Sequence, residues 1–166
     1  MEAIREAIVA ALQGVPPQVT VVILAMLPIL ELRGAIPWAL APIGGDLSLV
    51  EAVPLAILGN MIPVIPLLLW IGPISDWLRK MPLLDRFFTW LFQRTRRKGR
   101  LVEKYQAVGL ALFVAIPLPI TGAWTGAAAA FLFGIPFRQA LLATLAGVCI
   151  SATIVTLATL GVLALW

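Results

Sequence analysis

Three long stretches of this chain carry no charged side chain: residues 52–75, 105–137 and 139–166. A soluble fold keeps most ions at its surface, so runs of this length seek hydrocarbon rather than water. Wound as a helix, residues 139–166 extend about 42 Å, enough to cross a hydrocarbon core about 30 Å thick with some tilt. In lipid the backbone must satisfy its own hydrogen bonds, which makes helices the spanning element for runs this continuously apolar. Only 12% of residues are charged, against about 25% in an average soluble chain, and mean hydropathy is +1.03. The expected fold class is an all-α integral membrane protein.

Apolar sequence falls into four blocks, residues 19–43, 49–72, 107–135 and 139–166, with a polar block, 75–104, between the two pairs. That block holds nine of the twelve bases, among them Arg94, Arg96, Arg97, Lys98 and Arg100, against Asp76, Asp85 and Glu103. By the positive-inside rule it is cytoplasmic, with the chain integral to the cell (inner) membrane. Residues 77–92 mix Trp, Leu and Phe with charge, as a segment in the headgroup layer does. Beside apolar blocks, the basic cluster is read as a contact for anionic membrane lipids and not for nucleic acid. Residues 1–13 place Glu2, Arg5 and Glu6 ahead of Ile8, Val9 and Leu12. This is not the layout of a cleaved signal, and we read it as an amphipathic surface helix. One cysteine, Cys149, forms no intrachain disulfide, and without histidine the commonest metal ligand is missing; no cofactor or metal is expected.

The two halves look like repeats. A shift of 88 positions pairs Gly34 with Gly122, Ala35 with Ala123, Ala39 with Ala127, Gly59 with Gly147 and Ile62 with Ile150. One gap also brings Pro28 onto Pro117. The repeated order carries more weight than the identities: short apolar stretch, Pro/Gly break, second short stretch, polar link, full span. We expect one membrane domain, 1–166: a first repeat at 1–74 with its surface helix, a basic linker at 75–105, and a second repeat at 106–166. Paired broken segments at corresponding positions point to a transporter binding site.

Residues 19–30 reach about 18 Å as helix, well short of the bilayer core, and residues 107–116 are shorter still. Each broken block either turns at its break and leaves on the side it came from, or crosses as a plain span. Hairpins leave one crossing per half, so the second half is inverted relative to the first. They also keep Arg138 on the cytoplasmic side, whereas four plain spans put it outside. The architecture expected is an inverted repeat of re-entrant helical hairpin plus transmembrane helix.

The candidate chemistry lies at the breaks. Pro28-Ile-Leu-Glu31-Leu-Arg33-Gly34-Ala-Ile-Pro37 sets an acid and a base in apolar sequence, where each charge costs about 2.5–3.5 kcal/mol to insert. Two residues apart, Glu31 and Arg33 diverge on a regular helix and share a face on unwound backbone. A buried carboxylate lacking full compensation takes up a proton near neutral pH, which makes Glu31 a candidate proton carrier. Arg33 keeps its charge and suits an anionic group. The alternative is a simple ion pair at a hairpin tip. The second break, around Pro117, Pro119, Thr121, Gly122 and Trp124, offers hydroxyl, indole N–H and open backbone, or else only close helix packing. Asn60, beside Gly59 and Pro63, is either a cavity residue or an interhelical hydrogen bond.

Together Glu31-Leu-Arg-Gly-Ala-Ile-Pro37, the basic centre and Pro117-Leu-Pro-Ile-Thr-Gly-Ala-Trp-Thr-Gly126 resemble the small multidrug export protein family over nearly the whole chain. That family is a distant relative of the DedA/VTT membrane proteins. The resemblance implies opposed re-entrant hairpins and, for DedA relatives, proton-coupled handling of lipid phosphates or amphiphiles. By it, Glu31 and Arg33 match the acid and base of the first hairpin, and Thr121, Gly122 and Trp124 match the second. DedA relatives usually carry an arginine in the second hairpin as well, whereas residues 101–137 contain none.

The function expected is a small secondary transporter or flippase, proton-coupled, moving a drug-like or lipid amphiphile. A chain this short needs a second copy to bury a polar path, so a homodimer is expected. An assembly factor docking through the basic loop is one alternative. An intramembrane lipid phosphatase is another, but it lacks a histidine, a metal cluster and an obvious nucleophile, and we do not expect an enzyme.

Overall fold

The computed structural model describes residues 14–42, 44–70, 106–117 and 122–164. The expected N-terminal surface helix, the headgroup segment and the basic linker lie outside these residues, as do Pro119 and Thr121. Among the described residues there are helices and no strand. They form two like triplets: α1 (Pro17–Met26), α2 (Glu31–Leu40) and α3 (Leu49–Met61), then α4 (Gln106–Ala115), α5 (Ala123–Leu132) and α6 (Phe137–Leu163). A turn at Ile62 and Pro63 leads α3 into a further helical stretch, so Leu49–Trp70 forms one 22-residue apolar run. That run and the 27-residue α6 are each long and apolar enough to cross a membrane. They begin 88 positions apart (137 − 49), the same shift that aligns the halves. The four short helices have 10 residues each, about 15 Å, or roughly half a bilayer core.

Local chemistry sets the boundaries. Pro17 suits the first turn of α1, and Pro28 pushes the preceding Leu27 to extended backbone (φ −76°, ψ 129°), which ends that helix at Met26. The break therefore falls at residues 27–30, and this narrows the expected break in the Pro28–Pro37 run: from Glu31 onward that run is helical. Gly34 and Pro37 both sit inside α2, where Pro37 deprives only the carbonyl of Arg33 of a donor and the helix tolerates it. Gly34 faces Leu30, whose side chain a β-carbon there would meet at 2.9 Å. At the start of α3, the Ser48 N–H and hydroxyl both donate to Glu51 Oε2, at 3.2 and 2.7 Å, which accounts for that acid as a cap. Gly134, at φ +66°, ends α5, and α6 begins directly after Pro136.

Packing repeats as well as order. In each triplet the first short helix packs on the long helix and on its own partner across the break. The equivalent glycines allow the closest approach. A β-carbon on Gly59 would lie 2.5 Å from the carbonyl oxygen of Val22 in α1. One on Gly147 would lie 2.6 Å from that of Ala111 in α4. Small residues (Ala52 and Ala56 in α3, Ala140 and Ala152 in α6) fill the helix interfaces. Val50, Leu58, Leu142 and Leu157 stand exposed on the long helices. Contacts of α6 with α2 and α3 join the triplets.

Candidate functional site

The two breaks meet. Ending α1 at Met26 leaves a carbonyl without a helical donor, and the indole Nε1–H of Trp124 donates to it at 3.0 Å. In return Glu31, the first residue of α2, reaches the N-terminus of α5. Its carboxylate accepts the backbone N–H of Trp124 and lies against Gly122, in space that any side chain there would fill. The first N–H groups of a helix carry the positive end of its dipole, so this is a favourable seat for an anion. Thr125 braces the same turn: its Oγ1 accepts the Gly122 N–H at 3.0 Å and donates to the Gly122 carbonyl at 3.2 Å.

Glu31 is 6% exposed, and Arg33 Nη2 stands 3.6 Å from its Oε2. Side chains two apart diverge on a regular helix, but Glu31 has φ +46°, in the left-handed region. That rotation sets the angle at which the break at residues 27–30 enters α2, while the long, flexible Glu31 and Arg33 side chains bridge the divergence and meet on one site. Holding a non-glycine residue there costs roughly 1–2 kcal/mol, and such outliers cluster where a site needs a particular geometry. The pairing expected of an unwound segment is thus reached at the first residue of a helix.

Beyond the pair lie two cavities, with Arg33 and Pro117 on the wall of both. The smaller, about 10 Å³, is lined by Glu31 and Asn60 from the first triplet and by Gly122 and Ser151 from the second. Asn60 is only 1% exposed, and its Oδ1 has no hydrogen-bond partner among the described residues. The larger, about 590 Å³, lies between α2 and the C-terminal half of α6. Pro37, Trp38, Ile154, Ala158 and Val162 make its wall apolar, and among the described residues Arg33 is the one charged side chain on it.

The sequence-derived residues are thus partly gathered. Glu31, Arg33, Asn60, Pro117 and Gly122 converge on the small cavity, Pro37 lines the large one, and Trp124 ties the breaks together. Gly34 lines neither cavity. Sequence reading missed Ser151, Ile154 and Ala158. They lie on one stripe of α6 at the spacing of a helical face, and that spacing within an ion-free span was the available signal. Among the described residues no cluster of three or more Cys, Asp or Glu side chains could hold a metal ion.

A family model described as "putative small multi-drug export protein" matches residues 31–154, from Glu31 to Ile154, the first α6 residue on the larger cavity. No curated protein and no solved structure matches the chain.

Proposed function

The chain belongs to the small multi-drug export protein family, and we propose that it is a secondary transporter carrying an amphiphilic substrate through the large cavity. It is a membrane protein, with two helices long and apolar enough to span. One observation supports the reading above the rest. Arg33 stands between an apolar chamber of about 590 Å³ and the buried carboxylate of Glu31. A drug-sized apolar body fits a volume of that order, and one guanidinium supplies the polar contact that orients it.

In this reading Arg33 holds the polar end of the substrate, and Glu31 exchanges a proton as the substrate binds or leaves. When substrate draws Arg33 toward the chamber, Glu31 loses part of its compensating charge and takes up a proton; return of Arg33 releases it. The meeting of the two breaks suits opposed re-entrant hairpins in an inverted repeat, with the site at the repeat interface. Distant kinship with the DedA/VTT proteins, a homodimer, placement in the inner membrane and a cytoplasmic basic linker belong to the same proposal. The test is transport in proteoliposomes, with a fluorescent amphiphile and an internal pH dye. Wild type is expected to couple substrate flux to proton flux, and Glu31→Gln to lose the proton flux. Coupled flux unchanged in Glu31→Gln would remove Glu31 from the mechanism.

A further inference from the structure

We propose that the small cavity between Glu31, Asn60 and Ser151 is a binding site for one water molecule, which links the Glu31 carboxyl to Asn60 Oδ1. The inference rests on the proton-carrying role given to Glu31 above and supplies the group that makes it workable. Three observations support it. The volume, about 10 Å³, matches about one water. Asn60 Oδ1 is a buried acceptor with no hydrogen-bond partner among the described residues, which is costly in an apolar interior unless something donates to it. The remaining walls carry Glu31 and Ser151, so a water there has the two to four polar partners it needs.

A cation fits this place poorly. Positive charge and a donor already face Glu31: the Arg33 guanidinium from its own helix and the Trp124 N–H at the positive end of α5. Among the described residues Arg33 is the one charged side chain that shares the cavity wall with Glu31. A neutral molecule that both donates and accepts suits both states of the carboxyl. With Glu31 ionised, the water donates one hydrogen to the carboxylate and the other to Asn60. With Glu31 protonated, its O–H donates to the water, which still donates to Asn60 and turns its second hydrogen to the Ser151 hydroxyl oxygen. No hydrogen-bonding capacity is stranded in either state, so the proton can come and go without moving the backbone.

The repeat supplies the variant. Position 60 corresponds to Val148 in the second half (60 + 88), and Val148 lines the same cavity, so valine suits this place in a long helix. The experiment is infrared difference spectroscopy between low and high pH on the purified full chain in lipid, in ordinary and oxygen-18 water. Wild type is expected to show a carboxyl band that Glu31→Gln removes and a water band that oxygen-18 shifts. Asn60→Val is expected to abolish the water band and move the carboxyl band to higher frequency. Ser151→Ala gives a smaller shift the same way, and serves if Asn60→Val does not fold. A carboxyl band left in place by Asn60→Val overturns the water site and spares the coupling role. A band that moves when sodium is replaced by choline identifies a cation instead and overturns the proposal. A wild-type spectrum without the carboxyl band overturns the coupling role. The water is then judged by density between Asn60 and Glu31 at a resolution that shows ordered solvent, where an empty cavity overturns it.

Discussion

The Glu31 carboxylate lies in the space that a β-carbon on Gly122 would fill. The absence of a side chain in the second half is thereby the seat of the acid in the first. Gly122→Ala puts a methyl into that seat, and the group it meets is the end of a flexible side chain, which can swing away without disturbing the helices. We therefore expect Gly122→Ala to fold with a stability loss of less than about 1.5 kcal/mol, yet to lose proton coupling as fully as Glu31→Gln. Thermal unfolding in detergent and proton flux in proteoliposomes check the two halves. The double variant is expected to behave as Glu31→Gln alone, since both changes vacate one contact.

Glu31 adopts φ +46°, a conformation that glycine takes freely and alanine resists. Glu31→Gly and Glu31→Ala remove the same carboxylate, so the comparison isolates the backbone. Glu31→Gly is expected to be more stable than Glu31→Ala by about 1 kcal/mol, read as a higher unfolding temperature, while both lose coupling. Equal stability would mean that the left-handed turn carries no strain.

Much of this arrangement is legible in the sequence alone, and what is not has physical causes. The four apolar blocks were readable because lipid forbids charge and open backbone, and the shift of 88 survives as the spacing between the two long helices. Glu31 and Arg33 stood out because ions in apolar sequence are costly. The position of the break within Pro28–Pro37 is not legible because Pro28, Gly34 and Pro37 all disfavour helix, and only tertiary packing selects among them. Alpha-helical Pro37 costs one hydrogen bond, whereas Pro28 constrains Leu27 directly. Nor does sequence show which element meets which break. The contacts of Trp124 with Met26 and of Glu31 with Gly122 span 98 and 91 positions (124 − 26 and 122 − 31), and no local pattern encodes them.

Gly59 and Gly147 test the repeat as a packing unit. In each case an added methyl would meet a backbone carbonyl of the neighbouring short helix, Val22 or Ala111, and backbone cannot swing aside as a side chain does. Gly59→Ala and Gly147→Ala should each destabilise by about 1–3 kcal/mol, and by similar amounts. Unfolding temperatures of the two variants in the same detergent provide the comparison. A large loss at one position and none at the other would break the equivalence of the halves.

Trp124 separates structure from coupling. Its indole N–H holds the Met26 carbonyl, whereas Glu31 is held by its backbone N–H, which no substitution except proline removes. Trp124→Phe keeps an aromatic ring at the position, trims the second ring and deletes the indole donor. We expect a stability loss of about 1 kcal/mol, with the Glu31-dependent proton flux retained. Flux lost in Trp124→Phe would assign the indole to the transport path and not to the tie between the breaks.

The large cavity is tested by filling it. Ala158 lies on its α6 wall, opposite Trp38 and Pro37 of α2, and it is exposed, so a larger side chain there meets space before it meets protein. Ala158→Trp occupies part of the chamber without touching Glu31, Asn60 or Gly122, which line the smaller cavity. The expected result is a substrate affinity weakened about tenfold or more, equivalent to about 1.4 kcal/mol, with stability unchanged. The response of Glu31 to pH in the absence of substrate should stay as in the wild type. This split is diagnostic, because a chamber that merely fills with lipid tails would leave amphiphile transport indifferent to Ala158→Trp. Arg33→Ala gives the complementary result: the chamber stays open but loses its polar contact, so discrimination among headgroups is lost ahead of affinity for apolar bodies.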